Sequence, residues 1–221
     1  MADAQPDDVQ IRATDLGVDG EHGPLFQGID LEIAPGFHAI QMPAGPEQNA
    51  LLLTLAGRLK PSTGTVQVMG DTTPAAIRKH CAIAGFEGID ELDDSVTVET
   101  VLAEQRRWLA PWYSMVPLSA GRLEMDQVFG PVDRPAPTDL IVELSDLQQL
   151  LLRITLALLS DRPIVIVGDL EQVRDNPGRA EAVQRLGAIA ARYTVIVGVT
   201  NPLGGDAPAH TDHDRRALRK D

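Results

Sequence analysis

Residues 51–71, LLLTLAGRLKPSTGTVQVMGD, carry a Leu-rich helical pattern into a proline- and glycine-marked stop and then into an alternating strand. Leu51, Leu52, Leu55, Ala56 and Leu59 recur at helical spacing, which predicts a helix over 47–59; Pro61 and Gly64 end it. GTVQVMGD then reads as a strand and a turn. Upstream, VQIRATDL, LFQGIDLEI and FHAIQM alternate or run apolar and are separated by DGEHG and APG, so three strands precede the helix.

Downstream, TPAAIRKH predicts a short helix and CAIAGF a buried strand. Thr97 opens a further helix through VETVLAEQRRWL. From Pro111 to Pro137 the composition turns to Pro, Gly and isolated charges, read as short helices and loops of a variable subdomain. Regularity returns with a helix over 146–159, a strand in RPIVIVGD, a helix over 177–192 and a strand in YTVIVGVT. Apolar runs without polar alternation, interleaved with helices, mark a parallel sheet covered on both faces. The fold class is α/β. Residues 203–221 are rich in Gly, Pro, His, Asp and Arg and are expected to form a flexible polar tail.

Composition bounds the function. At 221 residues the chain is one domain with at most a small insert, and a net charge of −13 disfavours polyanionic partners such as nucleic acid. The lone cysteine, Cys81, has no disulfide partner in the chain and reads as a small core hydrophobe. MADAQPDDVQ has no apolar stretch of the secretory kind, and the apolar runs near Leu51 and Leu150 are too short to span a bilayer. A cytoplasmic protein that meets a membrane only through a partner is the expectation. His210 and His213 lack further ligands nearby, so no metal is expected.

The order of these segments resembles the nucleotide-binding domain of an ABC transporter. LLLTLAGRLKPSTGTVQVMG is similar to the family's LxGxLxPxxGxVxxxG, TVETVLAEQ to the start of its helical subdomain, LSDLQQLLLRITLALLSDRPIVIVGDLEQV to its signature helix and Walker B strand, and TVIVGVTNP to its switch strand. The resemblance covers residues 9–202. It implies a P-loop NTPase-like core with a mainly parallel sheet, an N-terminal antiparallel β part and a small helical subdomain at about 97–145. The strands and helix that usually follow the switch strand are not evident.

At the matching positions the family's chemistry is missing. A P-loop cradles phosphates with backbone N–H groups, reaches them with a lysine and holds Mg²⁺ with a Ser or Thr hydroxyl. Here the corresponding loop ends in Gly45, Pro46, Glu47, Gln48 and Asn49. Pro46 lacks an N–H, Glu47 stands at a glycine position on the expected helix N-terminus, and Gln48 replaces the lysine. Loss of one positive charge and gain of one negative charge near a polyphosphate are each worth about 3 kcal/mol at 5 Å and an effective dielectric of 20. Gly168 stands where the Walker B aspartate would be, leaving Asp169 as the catalytic remnant. Asn201 holds the switch-histidine position, and no glutamine lies in 85–87. The adenine-stacking position carries no aromatic, and Phe26 nearby is read as core. The signature reads Leu144, Ser145, Asp146, Leu147, Gln148, so Asp146 would aim a carboxylate at a dimer partner's nucleotide.

The resemblance therefore implies a non-hydrolysing ABC-type subunit, a pseudo-ATPase, at the inner face of the cell membrane. Its partner would be a permease or another integral membrane protein, docked near Glu87 to Trp112 with Trp108, Trp112 and Tyr113 as interface aromatics, and it could pair as a homodimer or with another ABC-like subunit. No cofactor is expected on this reading. Two alternatives stand: an ATP-binding transport subunit using Mg-ATP through Gly45, Gln48, Asn49 and Asp169, and a stand-alone regulatory scaffold.

Overall fold

The structure, a computed structural model, describes residues 9–110 and 122–214. Strands β1 (Ile11–Gly20), β2 (Gly23–Ile33) and β4 (Thr63–Val68) form an antiparallel sheet in the order β2-β1-β4. A parallel sheet holds β3 (Phe37–Gln41), β5 (Cys81–Ala84), β6 (Ile164–Asp169), β7 (Thr194–Val199) and β8 (Thr211–Asp214) in the order β5-β6-β7-β3-β8. The uninterrupted apolar runs of β6 and β7 are buried along their length, as a parallel sheet covered on both faces requires.

Helix α1 (Pro46–Leu55) lies between the two sheets, and its Leu51, Leu52 and Leu55 share one apolar cluster with Ile11, Ile33, Ile166 and Ile196. It ends four residues short of the expected boundary because Gly57 takes a left-handed φ of 65°, and a Cβ there would press on Ile77 of α2 (Pro74–His80) at 2.9 Å. Cys81 is fully buried in this cluster, and burial pushes its thiol up to about 12, so it packs as a hydrophobe. Phe26 is also core, 2% exposed.

The other face carries α5 (Asp146–Leu158) and α6 (Asn176–Ile189), with α3 (Val98–Leu109) and α4 (Arg122–Phe129) of the helical subdomain against them. Side-chain caps fix the starts of three of these helices: Thr97 for α3, Ser145 for α5 and Asp175 for α6. Arg185 of α6 donates to the carbonyls of Val128 at 2.8 Å and Gln127 at 2.6 Å, closing the end of α4 and tying the subdomain to the core.

Residues 203–214 differ from the flexible tail expected of their composition. Pro208 packs on Gly187 of α6, where a Cβ would collide with its ring, and the Gln184 side chain donates to the Asp206 carbonyl at 2.7 Å. The chain then adds β8 in parallel to β3. Its anchor is a histidine pair: His38 Nδ1 lies 3.0 Å from His213 Nε2, with the rings stacked at 5.3 Å. His38 Nε2 faces the Ala34 carbonyl at 2.7 Å and must donate to it, which leaves Nδ1 as acceptor and makes His213 Nε2 the second donor. That donor order is the one two neutral rings adopt, and burial favours the neutral form of both.

Burial, and then the neighbouring His38, push His213 down to about 4 against the opposing pull of Asp212, and burial lowers His38 as well. A histidine depressed in the fold binds fewer protons than in the released chain, so the docking of β8 is strongest above pH 6.5 and weakens as pH falls toward 4, by up to about 3 kcal/mol. Hydrogen exchange should show β3 and β8 amides losing protection between pH 7 and 5 while β6 and β7 keep theirs. His213→Asn should flatten that difference.

Candidate functional site

A cleft of about 550 Å³ opens at the carboxyl ends of the parallel strands, where ligands of open α/β sheets bind. Ala44, Gly45 and Asn49 from the loop and helix after β3 form one wall; Gly85 and Glu87 after β5, and Asp169, Glu171 and Gln172 after β6, form the floor. Asp146, Gln149 and Arg153 of α5, with Glu91, complete it. Of the residues singled out in the sequence, Gly45, Asn49, Asp169 and Asp146 meet here. Pro46, Glu47, Gln48, Ser145, Leu147, Gln148 and Asn201 do not line the cleft.

Gly45 caps α1 at φ 125°, a conformation few side chains adopt, and Pro46 occupies the first helical position, where its missing N–H costs the helix nothing but deprives the helix N-terminus of a donor. Glu47 lies in the first turn, as a carboxylate suited to that end of the helix dipole. Gln48 is fully buried and turned away from the cleft: its Nε2 donates to the Met42 carbonyl at 3.0 Å and the Val199 carbonyl at 3.3 Å. The amide thereby stitches the phosphate-loop position to the end of β7. Gly198 makes the room, since a Cβ there would meet Gln48 Oε1 at 2.6 Å. In this structure the Gln48 side chain thus lies inside the fold and does not line the cleft.

Asp169 sits at the cleft floor, where its Oδ1 accepts the Glu171 N–H at 3.0 Å. Burial pushes its carboxyl up, and Arg179, the guanidinium that pulls the other way, is itself paired with Glu171 at 2.8 Å. At Gly168, a Cβ would collide with the Gly85 carbonyl oxygen, so the backbone just after β5 leaves no room for a side chain there.

Asp146 lines the cleft and receives both Nε and Nη2 of Arg174 at 2.8 Å, a bidentate pair that holds its carboxyl below the usual range. Ser145 and Gln148 form a reciprocal capping box at the start of α5, and Gln148 Nε2 reaches the Asp133 carbonyl at 3.0 Å. Leu147 packs on the core and Asn201 is exposed beyond β7. Trp108 ends α3 at 86% exposure; Trp112 and Tyr113 lie outside the described residues.

Sequence reading missed Gln172. Its Nε2 donates to the Asp169 carbonyl at 2.7 Å and the Gly85 carbonyl at 3.3 Å, and its Oε1 faces Arg153 at 3.5 Å. A glutamine therefore does reach residue 85, from a position 87 residues later. No local pattern could announce it, and Arg153 is equally silent as a single cation within an apolar helix.

The lining sets Glu87, Glu91, Asp146, Asp169 and Glu171 against Arg153. Even with Asp146 and Glu171 neutralised by Arg174 and Arg179, the surface facing a ligand stays acidic. A Mg-triphosphate does not fit these residues: the cation at residue 48 is absent, residue 168 cannot ligate, and surrounding carboxylates repel phosphate. Among the described residues no cluster of three or more His, Cys, Asp or Glu could hold a metal ion.

The sheet order, the helix after β3 and the cleft above β3 and β6 give the chain a P-loop NTPase-like α/β fold of the kind that ABC cassettes share. The chain is similar to the ABC transporter ATP-binding protein RamB of Streptomyces coelicolor, at 29% identity over 203 residues, covering 88% of this chain and 32% of that protein. It thus spans about a third of that relative's length. Among solved structures, cbiO1 of Clostridium perfringens, part of the ABC transporter complex cbiONQ, superposes with a TM-score of 0.67 at 17% identity, over 88% of this chain and 79% of the other. A dimeric bacterial ABC transporter cassette gives 0.71 at 16% identity, over 86% and 88%. No family model matches the chain.

Proposed function

We propose that this protein is an ABC-type cassette subunit of a membrane transport complex whose own nucleotide site no longer hydrolyses ATP, and that it serves as a structural or regulatory component. The observation that carries this reading is Gln48: at the lysine position of the phosphate loop stands a fully buried amide committed to Met42 and Val199. Gly168 under the Gly85 carbonyl and the acidic cleft support it independently. Attachment to the inner face of a membrane is through an integral membrane partner; no helix among the described residues is long and apolar enough to cross a bilayer. The partner docks on the helical subdomain side, in the groove beside Trp108. Pairing with a second cassette is consistent with the dimeric relative.

A second reading, an ATP-binding subunit powering transport through a non-standard site, is favoured by the description of the Streptomyces relative as an ATP-binding protein. Calorimetric titration of the purified chain with Mg-ATP separates the two. No binding heat up to millimolar nucleotide is expected; micromolar binding or measurable phosphate release would replace the first reading with the second.

A further inference from the structure

The carboxyl ends of the parallel strands carry the acidic cleft; the amino ends of β5 and β6 carry a corner of the other sign. There α1 ends just before Gly57, α2 runs into β5 at Cys81, and Arg162 stands two residues ahead of β6, whose Ile164 pairs with Cys81. Arg78 donates through Nη1 to the Gly57 carbonyl at 2.9 Å, and Arg162 through Nη1 to the Cys81 carbonyl at 3.1 Å. Each bond satisfies a carbonyl just past a helix end, which accounts for two of the guanidiniums at this place. It does not account for Arg58, Lys60 and Lys79, which are exposed on the same segments and whose side chains hold nothing else in the fold.

Five of the chain's 19 Lys and Arg residues thus gather at one corner of a protein whose net charge is −13. The carboxylates next to them in sequence are engaged elsewhere: Asp71 takes His80 at 2.7 Å, and Asp161 faces Arg192 at 3.7 Å. Among the described residues none of the five cations has a carboxylate within ion-pair distance. Burial, and then the like charges of Arg162 and Arg78, lower the Arg58 guanidinium. Cations that repel one another without a counter-charge are relieved when an anion settles among them.

The size of the corner selects among anions. Nucleic acid or an anionic membrane extends well past five side chains and would meet the carboxylates that dominate the rest of the chain. A short carboxylate-rich segment stays within the corner. Guanidiniums take carboxylates through two parallel N–H bonds, and Arg78 and Arg162, already held by one Nη each, lose little freedom in doing so. We infer that Arg58, Lys60, Arg78, Lys79 and Arg162 form an interaction surface for a short acidic segment of a partner protein. None of the five lines the cleft or the groove beside Trp108, so the inference is independent of the nucleotide and membrane-partner readings.

The test titrates the full chain, by fluorescence anisotropy, with two labelled flexible peptides of equal length, one with glutamate at alternate positions and the other with glutamine there. The glutamate peptide should bind at least about tenfold more tightly at low salt and lose that advantage at about 0.5 M salt. Arg58→Glu combined with Lys79→Glu should abolish the preference. Both side chains are exposed, and circular dichroism confirms that the variant is folded. Equal binding of the two peptides overturns the inference. So does a preference that survives the double reversal, because the carboxylates then sit elsewhere on the chain. An oligonucleotide that binds as tightly as the glutamate peptide through the same two residues overturns the choice of partner, as does self-association of the chain that the double reversal removes.

Discussion

Gly168→Asp, the substitution that would restore a Walker-type carboxylate, should destabilise the protein by roughly 3 kcal/mol or more and supply no catalysis. The Cβ alone collides with the carbonyl of Gly85. That carbonyl cannot swing aside cheaply, because the Gly85 and Phe86 N–H groups are both held by Asp90 and Gln172 donates to the oxygen itself. The new carboxylate would also be buried, with the Gly85 oxygen in its path. For a domain of this size the loss corresponds to a fall in Tm of roughly 6–12 °C. Gly168→Ala separates the steric share, at about 1–3 kcal/mol, from the cost of charge. Urea unfolding of the three proteins measures both, and an aspartate variant with the parent's midpoint would sink the account of this position.

Gln48→Lys comes next in size. The present side chain is wholly enclosed, gives its amide protons to two carbonyls, and lies against Gly198 and Leu52. A lysine is longer and would leave its ammonium beside two carbonyls without a carboxylate partner, at a cost of about 2–5 kcal/mol. The alternative for lysine is to leave the interior and enter the cleft, which breaks the link between the phosphate loop and β7. Thermal and urea unfolding should therefore show a weakened protein. The double variant Gln48→Lys, Asn49→Ser should show no ATP turnover, because Gly168 and the acidic lining are unchanged. Parental stability combined with gained hydrolysis would contradict both expectations.

The elements legible in the sequence are those whose signal is local. The apolar runs of β6 and β7 and the start of α5 at Asp146 can each be read within a dozen residues. Helix α1 was overdrawn to Leu59 because the apolar repeat continues past Gly57, whose left-handed backbone ends the helix. Strand β8 carries the sequence Thr-Asp-His-Asp, with no apolar residue, and is held by its pairing with β3 and by the contact of His213 with His38, 175 residues earlier. The site divides the same way. Replacement of residues at the positions that the family resemblance assigns to phosphate was visible, whereas the partners of those residues were not. The Asp146–Arg174 pair and the Gln172–Gly85 contact join segments that no period or motif relates.

The seam formed by Gln48, Met42, Val199 and Gly198 also bears on how this chain could change over time. Because Gln48 is an internal brace and the neighbouring backbone at Gly198 leaves room for it alone, a single change to lysine would lower foldedness before any catalytic gain could appear. Selection acting on single substitutions would meet a barrier made of packing, whatever the demand for nucleotide chemistry.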